Sequence, residues 1–245
     1  MTGAPSALAG SRLVVAVGLH GSASTWVFNV LRELLIARHG EGAVASLFAD
    51  GVTQLFEAPG LAGRHVVWKT HHGGPEFEAL AWLTGATVIL SVRDPRDAVV
   101  SLVQRFGVSD EAAMRMLAED CRRAAQCAAT GCALLRYEDG FFNDRAAVAG
   151  LARLVDAQPS PETLERIFAA YRTEQVRAFA AALDRLPAER RGGGERLPHD
   201  KLTQIHRRHI GDGAVGKWRR LLEPARQREL TAFFASFLEA FGYLP

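Results

Sequence analysis

The stretch Val14-Val15-Ala16-Val17-Gly18-Leu19-His20-Gly21-Ser22-Ala23-Ser24-Thr25-Trp26 decides how the rest of the chain is read. Its first four residues are an apolar run suited to a buried strand. Gly18 breaks the run, a loop of small residues follows, and from Trp26 the apolar Val27, Val30, Leu31, Leu34 and Leu35 recur at helical spacing up to a stop at Gly40. Strand, small-residue loop and helix together can lay backbone N–H groups around an anion at the positive end of the helix. The loop lacks the Walker pattern, because Ala23 and Ser24 stand where that motif has Gly and Lys. An ordinary βα turn shares this local pattern, so other segments must decide between the two.

The composition limits the field. With 245 residues, 48% of them hydrophobic and 23% charged, the chain suits one α/β domain spanning 1–245. Lys and Arg number 29 against 27 Asp and Glu, a net charge of +2, so there is no overall basic field and no nucleic-acid partner is expected. Any anion site must be local. Cys121, Cys127 and Cys132 lack a CxxC spacing and clustered histidines, which points to reduced thiols and no metal site. The start lacks the charged-then-apolar pattern of a signal peptide and no run reaches membrane-spanning length, so the expected location is cytoplasmic. Residues 1–11 read as a loose tail, and 184–213, rich in Gly, Pro and charge, as a mobile segment.

Further strands are expected at His65–Trp68, Thr87–Val92 and Ala133–Tyr137, with Leu47–Gly63 a long excursion able to wall an acceptor pocket. The second strand runs into Lys69-Thr70-His71-His72, and alternation places Lys69 and His71 on one side of an extended segment, past a strand end where an open α/β sheet puts its ligands. The third runs into Arg93-Asp94-Pro95, where Asp94 caps and Pro95 opens a helix carrying Ser101. Ser109 caps a helix to about Ala129. Beyond Asp144 the pattern is helical, ending in one helix from Pro224 with Phe233, Phe234, Phe237, Leu238 and Phe241 on a single face and Gly242 as its stop.

Taken in order, these segments resemble one family, the sulfotransferases that use 3′-phosphoadenosine 5′-phosphosulfate (PAPS). Ser22-Ala23-Ser24-Thr25-Trp26 resembles the loop that binds the 5′-phosphosulfate, and Lys69-Thr70-His71 is similar to the Lys-Thr-His segment of the cytosolic branch. Arg93 to Ser101 resembles the 3′-phosphate segment, in which the first Arg and the Ser eight residues later hold the phosphate. Leu135 to Asp139 resembles the stretch whose Tyr, here Tyr137, lies near the adenine, and Gly213-Ala214-Val215-Gly216-Lys217-Trp218 the late Gly-x-x-Gly-x-Trp segment. Three departures stand out. Gly21, beside His20, occupies the place of a Lys or Arg, and Ala23 that of a Gly. Gly211 and Asp212 replace the basic pair directly before Gly213, leaving Arg207 or Arg208 to reach in. The dimer segment expected after Trp218 is absent, so the oligomeric state stays open.

The resemblance implies a three-layer fold with a mostly parallel sheet, helices on both faces and a P-loop-like phosphosulfate loop. It also implies transfer of a sulfuryl group from PAPS to the hydroxyl or amine of a small-molecule or glycan acceptor, releasing the nucleotide 3′-phosphoadenosine 5′-phosphate (PAP), with no metal. His71 is the expected general base, with Lys69 its partner in catalysis. Gly21, Ser22, Ala23, Ser24, Thr25, Trp26, Arg93, Ser101, Tyr137, Arg207, Arg208 and Gly213 are the expected cofactor residues. A non-catalytic PAP or nucleotide binder and a nucleotide kinase are the alternatives.

Overall fold

The protein is described here by a computed structural model, which covers residues 12–194 and 197–244; the tail expected at 1–11 lies outside the described residues. Five parallel strands form the centre: β1 (Leu13–Gly18), β2 (Val44–Phe48), β3 (His65–Thr70), β4 (Thr87–Val92) and β5 (Ala133–Arg136), in the spatial order β2-β3-β1-β4-β5. Around them lie α1 (Ser24–His39), α2 (Val52–Glu57), α3 (Pro75–Thr84), α4 (Pro95–Phe106), α5 (Asp110–Ala129), α6 (Arg145–Leu154), α7 (Pro161–Ala170) and α8 (Thr173–Ala181). A short antiparallel pair, β6 (Arg191–Gly192) and β7 (His199–Asp200), then leads to α9 (Trp218–Leu221), α10 (Pro224–Phe233) and α11 (Ala235–Ala240).

Alternation along the strands divides the core into two layers. Val15 and Val17 join Trp68, Leu90 and Val92 beneath Leu117 of α5 and Phe237 and Leu238 of α11. Val14 and Ala16 join Val67 and Ile89 beneath Val30, Leu31, Leu34 and Leu35 of α1, with Leu151 and Ile167 behind. Burial on both faces is the reason the central strands read as continuous apolar runs. Each fully buried leucine contributes roughly 1.5–3 kcal/mol, so the double layer is the main source of stability.

Capping residues set the helix starts. Asp94 accepts from the Arg96 N–H ahead of α4, with Pro95 at its first position, and Ser109 accepts from the Ala112 N–H ahead of α5. Two expectations are corrected. The stretch Leu47–Gly63 is not one excursion: it begins inside the edge strand β2 and contains α2. The final helix is broken at Phe234 into α10 and α11, and the buried stripe is Phe234, Phe237, Leu238 and Phe241, a spacing of three and four that leaves Phe233 half exposed. The 184–213 segment is held by the buried Asp200 carboxylate, which accepts from the Arg190 guanidinium and from the Thr203 hydroxyl at 2.7 Å.

Chain direction positions the site. The connection leaving β1 runs to β2 on one side and that leaving β4 runs to β5 on the other. A crevice therefore opens beyond the carboxyl ends of β1 and β4.

Candidate active site

The loop from β1 to α1 is shaped by close approach. A Cβ at Gly18 would lie 2.3 Å from Ser91 Oγ and 2.7 Å from Ser22 Oγ, so only glycine lets β1 pass this point. The Ser22 hydroxyl, fully buried, donates to the Leu19 carbonyl at 2.7 Å and lies 2.8 Å from Ser91 Oγ, which commits it to holding the loop. Gly21 sits at φ +83°. Ala23 adopts the left-handed conformation at φ 64°, a strain of about 1–2 kcal/mol that the surrounding packing offsets. Past Ala23 the N–H groups of Ser24 and Thr25 have no hydrogen-bond partner among the described residues, and both residues line the crevice at the positive end of α1.

At the end of β3, Lys69 is buried and its Nζ lies 3.0 Å from His71 Nε2. His71 Nδ1 is 2.6 Å from the Gly18 carbonyl, which can only accept, so the proton sits on Nδ1 and the Nε2 lone pair receives the Lys69 ammonium. The tautomer is the one a general base needs. Burial pushes the Lys69 pKa down to about 8, against the pull of Asp50 and Asp120. Burial, then the Lys69 and His20 charges, hold His71 well below the ordinary imidazole range. His20 stacks on His71 with ring centroids 4.0 Å apart, and the buried Asp120 of α5 accepts from its backbone N–H and pairs with its Nδ1, both at 2.7 Å. His72 turns away to pair with Asp50 at 3.2 Å.

At the end of β4, Arg93 is buried and donates to the Gly21 carbonyl at 3.2 Å and the Ala214 carbonyl at 2.9 Å, while its Nε is buried without a partner. Its guanidinium lies 4.0 Å over the Tyr137 ring. Asp97 of α4 accepts from the N–H groups of Gly216 and Trp218, which fixes the Gly213–Trp218 segment against the helix. Lys217 is buried between Gln104 and Asp212, at 3.2 and 3.1 Å.

One cavity of about 600 Å³ gathers most of these groups. Of the expected site residues, Gly21, Ala23, Ser24, Thr25, Trp26, Lys69, His71, Arg93, Ser101, Tyr137 and Gly213 line it. Ser22 lies behind the wall, Arg207 pairs with Asp184, and Arg208 turns its guanidinium to the Arg105 carbonyl at 3.4 Å. Phe48 alone of the Leu47–Gly63 stretch reaches the cavity; the 184–213 segment contributes several residues, among them His206 and His209. Burial drives His206 down to about 3 and His209 well below its ordinary value, so these two rings are polar but uncharged at neutral pH. Sequence reasoning missed His20 and Arg105 as site residues. His20 was visible beside the missing loop cation, and Arg105 as the basic residue one turn after Ser101.

The lining is chemically suited to a doubly anionic nucleotide. The cations Lys69, Arg93 and Arg105 face it with a single acid, Asp212, already paired to Lys217, and Trp26 presents a buried, unpartnered Nε1. Neither a family model nor a curated protein sequence matches the chain. Solved structures do match. Mouse sulfotransferase SULT7A1 complexed with PAP superposes with a TM-score of 0.65 at 11% identity, over 93% of this chain and 84% of that one. Retinol dehydratase complexed with retinol and PAP gives 0.63 at 15%, over 92% and 81%. The same enzyme with androsterone and PAP gives 0.62 at 15%, over 92% and 80%. The chain thus has the mostly parallel α/β fold of these PAP-bound proteins.

Proposed function

We propose that the protein is a PAPS-dependent sulfotransferase in which His71 is the general base. The reading rests on one observation above the rest: a buried lysine and a tautomer-fixed histidine meet at the end of β3, in the same cavity as the β1 loop and Arg93. When bound, PAPS would supply an activated sulfuryl group. The residues fit that role. The α1 N–H groups and Lys69 would hold the 5′ end, Trp26 and Tyr137 would flank the adenine, and Arg93 with Ser101 would take the 3′-phosphate.

In the resting protein the Nε2 of His71 is occupied by Lys69. An anion placed against the loop would draw the Lys69 ammonium toward itself, since a full negative charge is a stronger acceptor than a neutral imidazole. Nε2 is then free to take a proton from an acceptor hydroxyl or amine, while the displaced ammonium stabilises charge developing on the sulfuryl oxygens. The Gly18 carbonyl would stabilise the imidazolium that results. Cofactor binding would in this way arm the base, and proton removal would await the donor.

A non-catalytic PAP binder is favoured by one feature, the uncharged Gly21. Labelled PAPS, offered with phenols, sugars, lipids and peptides, tests both readings. Transfer to any acceptor that is lost in His71→Ala supports the enzyme. Tight PAP binding with no transfer across the panel would establish the binder.

A further inference from the structure

The family places a basic pair directly before the glycine that is Gly213 here, and this chain has Gly211 and Asp212 instead. Neither nearby arginine fills the gap, since Arg207 is paired with Asp184 and the Arg208 guanidinium turns to the Arg105 backbone. Arg105 comes from the opposite side. It lies on α4 one turn beyond Ser101, so both side chains project from one helix face, and both line the cavity. Its stem runs beside position 211: a Cβ built on Gly211 makes ordinary van der Waals contact with Arg105 Cδ at 3.4 Å and Cγ at 3.9 Å, so the Arg105 side chain reaches the space next to the residue where the pair would stand. Nε donates to the Arg208 carbonyl at 2.7 Å, which fixes the fork, and neither Nη has a partner among the described residues.

We propose that Arg105 is the second cation of the 3′-phosphate site, delivered from α4 in place of the side chain missing at 211. The inference rests on the sulfotransferase reading above. Its electrostatics are those of a site prepared for an anion. Arg105 has no carboxylate partner among the described residues, and burial together with the Arg93 guanidinium pushes its pKa down to about 10. Two guanidinium groups held near each other without an intervening acid repel, and a phosphate between them relieves that repulsion. Asp212 offsets them only in part: its Oδ1 is held by the Lys217 ammonium at 3.1 Å and the Ala214 N–H at 3.1 Å, and the nearby Arg93 charge helps keep its pKa below the ordinary value.

Calorimetric titration with PAP and with adenosine 5′-monophosphate, which lacks the 3′-phosphate, tests the assignment in folded protein checked by thermal melting. Arg105→Gln is expected to weaken PAP by about 10-fold to 100-fold and leave the monophosphate unchanged. Arg105→Lys, which keeps a charge but not the fork, should fall between. Gly211 has a backbone conformation open to other residues, so adding Gly211→Arg to Arg105→Gln should restore the preference for PAP. Equal losses for both nucleotides, or an undiminished PAP preference in Arg105→Gln, overturns the proposal alone. A wild-type protein that binds no PAP overturns the sulfotransferase reading and this one with it.

Discussion

His71 and Lys69 make opposite demands on pH. As the proposed base, His71 must be neutral, and burial with the Lys69 and His20 charges already keeps it so through the neutral range. The lysine must stay charged, and burial brings its pKa to about 8. Transfer measured as kcat/KM, which reports the free enzyme, should be flat near neutrality and fall above about pH 8. Lys69→Arg should remove that alkaline fall. Asp120→Asn removes a carboxylate that supports the ammonium, so its fall should move to lower pH; a limb unmoved in both variants would assign it to another group. His71→Ala should cost turnover about 10²-fold or more with PAP affinity unchanged, because the base acts on the acceptor. Gly21 answers a different question. At φ +83° it cannot take the family's lysine without about 1–2 kcal/mol of strain, so Gly21→Lys should lower thermal stability rather than improve the site. A melt unchanged from wild type with tighter PAP binding would contradict this.

Helix starts give the next scale its predictions, and two caps of similar appearance differ in what depends on them. Ser109 caps α5 at an exposed position and does little else, so Ser109→Ala should cost about 1 kcal/mol in urea denaturation. Asp94 caps α4 and also takes three contacts from the buried Arg96 side chain at 2.8 to 3.2 Å. Asp94→Ala removes that guanidinium's one carboxylate partner among the described residues and leaves it the neutral Thr231 hydroxyl and Tyr243 carbonyl, and a loss of about 3–5 kcal/mol is expected because an uncompensated buried charge outweighs a lost cap. Similar losses in both variants would show that Arg96 finds another partner. Both caps were legible in the sequence because a cap is written within three or four residues. So were β1, β3 and β4, whose burial on two faces leaves continuous apolar runs. The edge strand β2 was not, since only Val44 and Ala45 are buried and Val-Ala-Ser-Leu-Phe shows neither a run nor a clean alternation. The site divides the same way. Lys69, His71, Arg93 and Ser101 stand in short ordered motifs, whereas the pairing of His20 with Asp120 spans 100 residues and that of Arg105 with Gly211 joins separate elements.

Across the whole molecule, the cavity is assembled from segments that only the sheet brings together: the β1 loop, the ends of β3 and β4, and the chain from Leu197 to Gly213. A ligand that bridges them and binds only the folded state must stabilise the entire fold. PAP at 100 times its dissociation constant adds about 2.7 kcal/mol. For a chain of this length each kcal/mol is worth roughly 2–4 °C, so a rise of about 5–10 °C in melting temperature is expected. The rise separates binding from folding. Leu34, fully buried under the sheet, should cost about 2–5 kcal/mol as Leu34→Ala and lower the starting temperature, yet the PAP-induced rise should persist because the cavity is untouched. Ser101→Ala should behave in the opposite way, with a starting temperature near wild type and a smaller rise at the same PAP concentration. His71→Ala should keep the full rise, since the proposed base acts on the acceptor rather than on PAP. A rise that follows the starting temperature instead of the cavity residues would mean that PAP acts on the protein as a general anion, and a full rise in Ser101→Ala would remove that hydroxyl from the 3′-phosphate site.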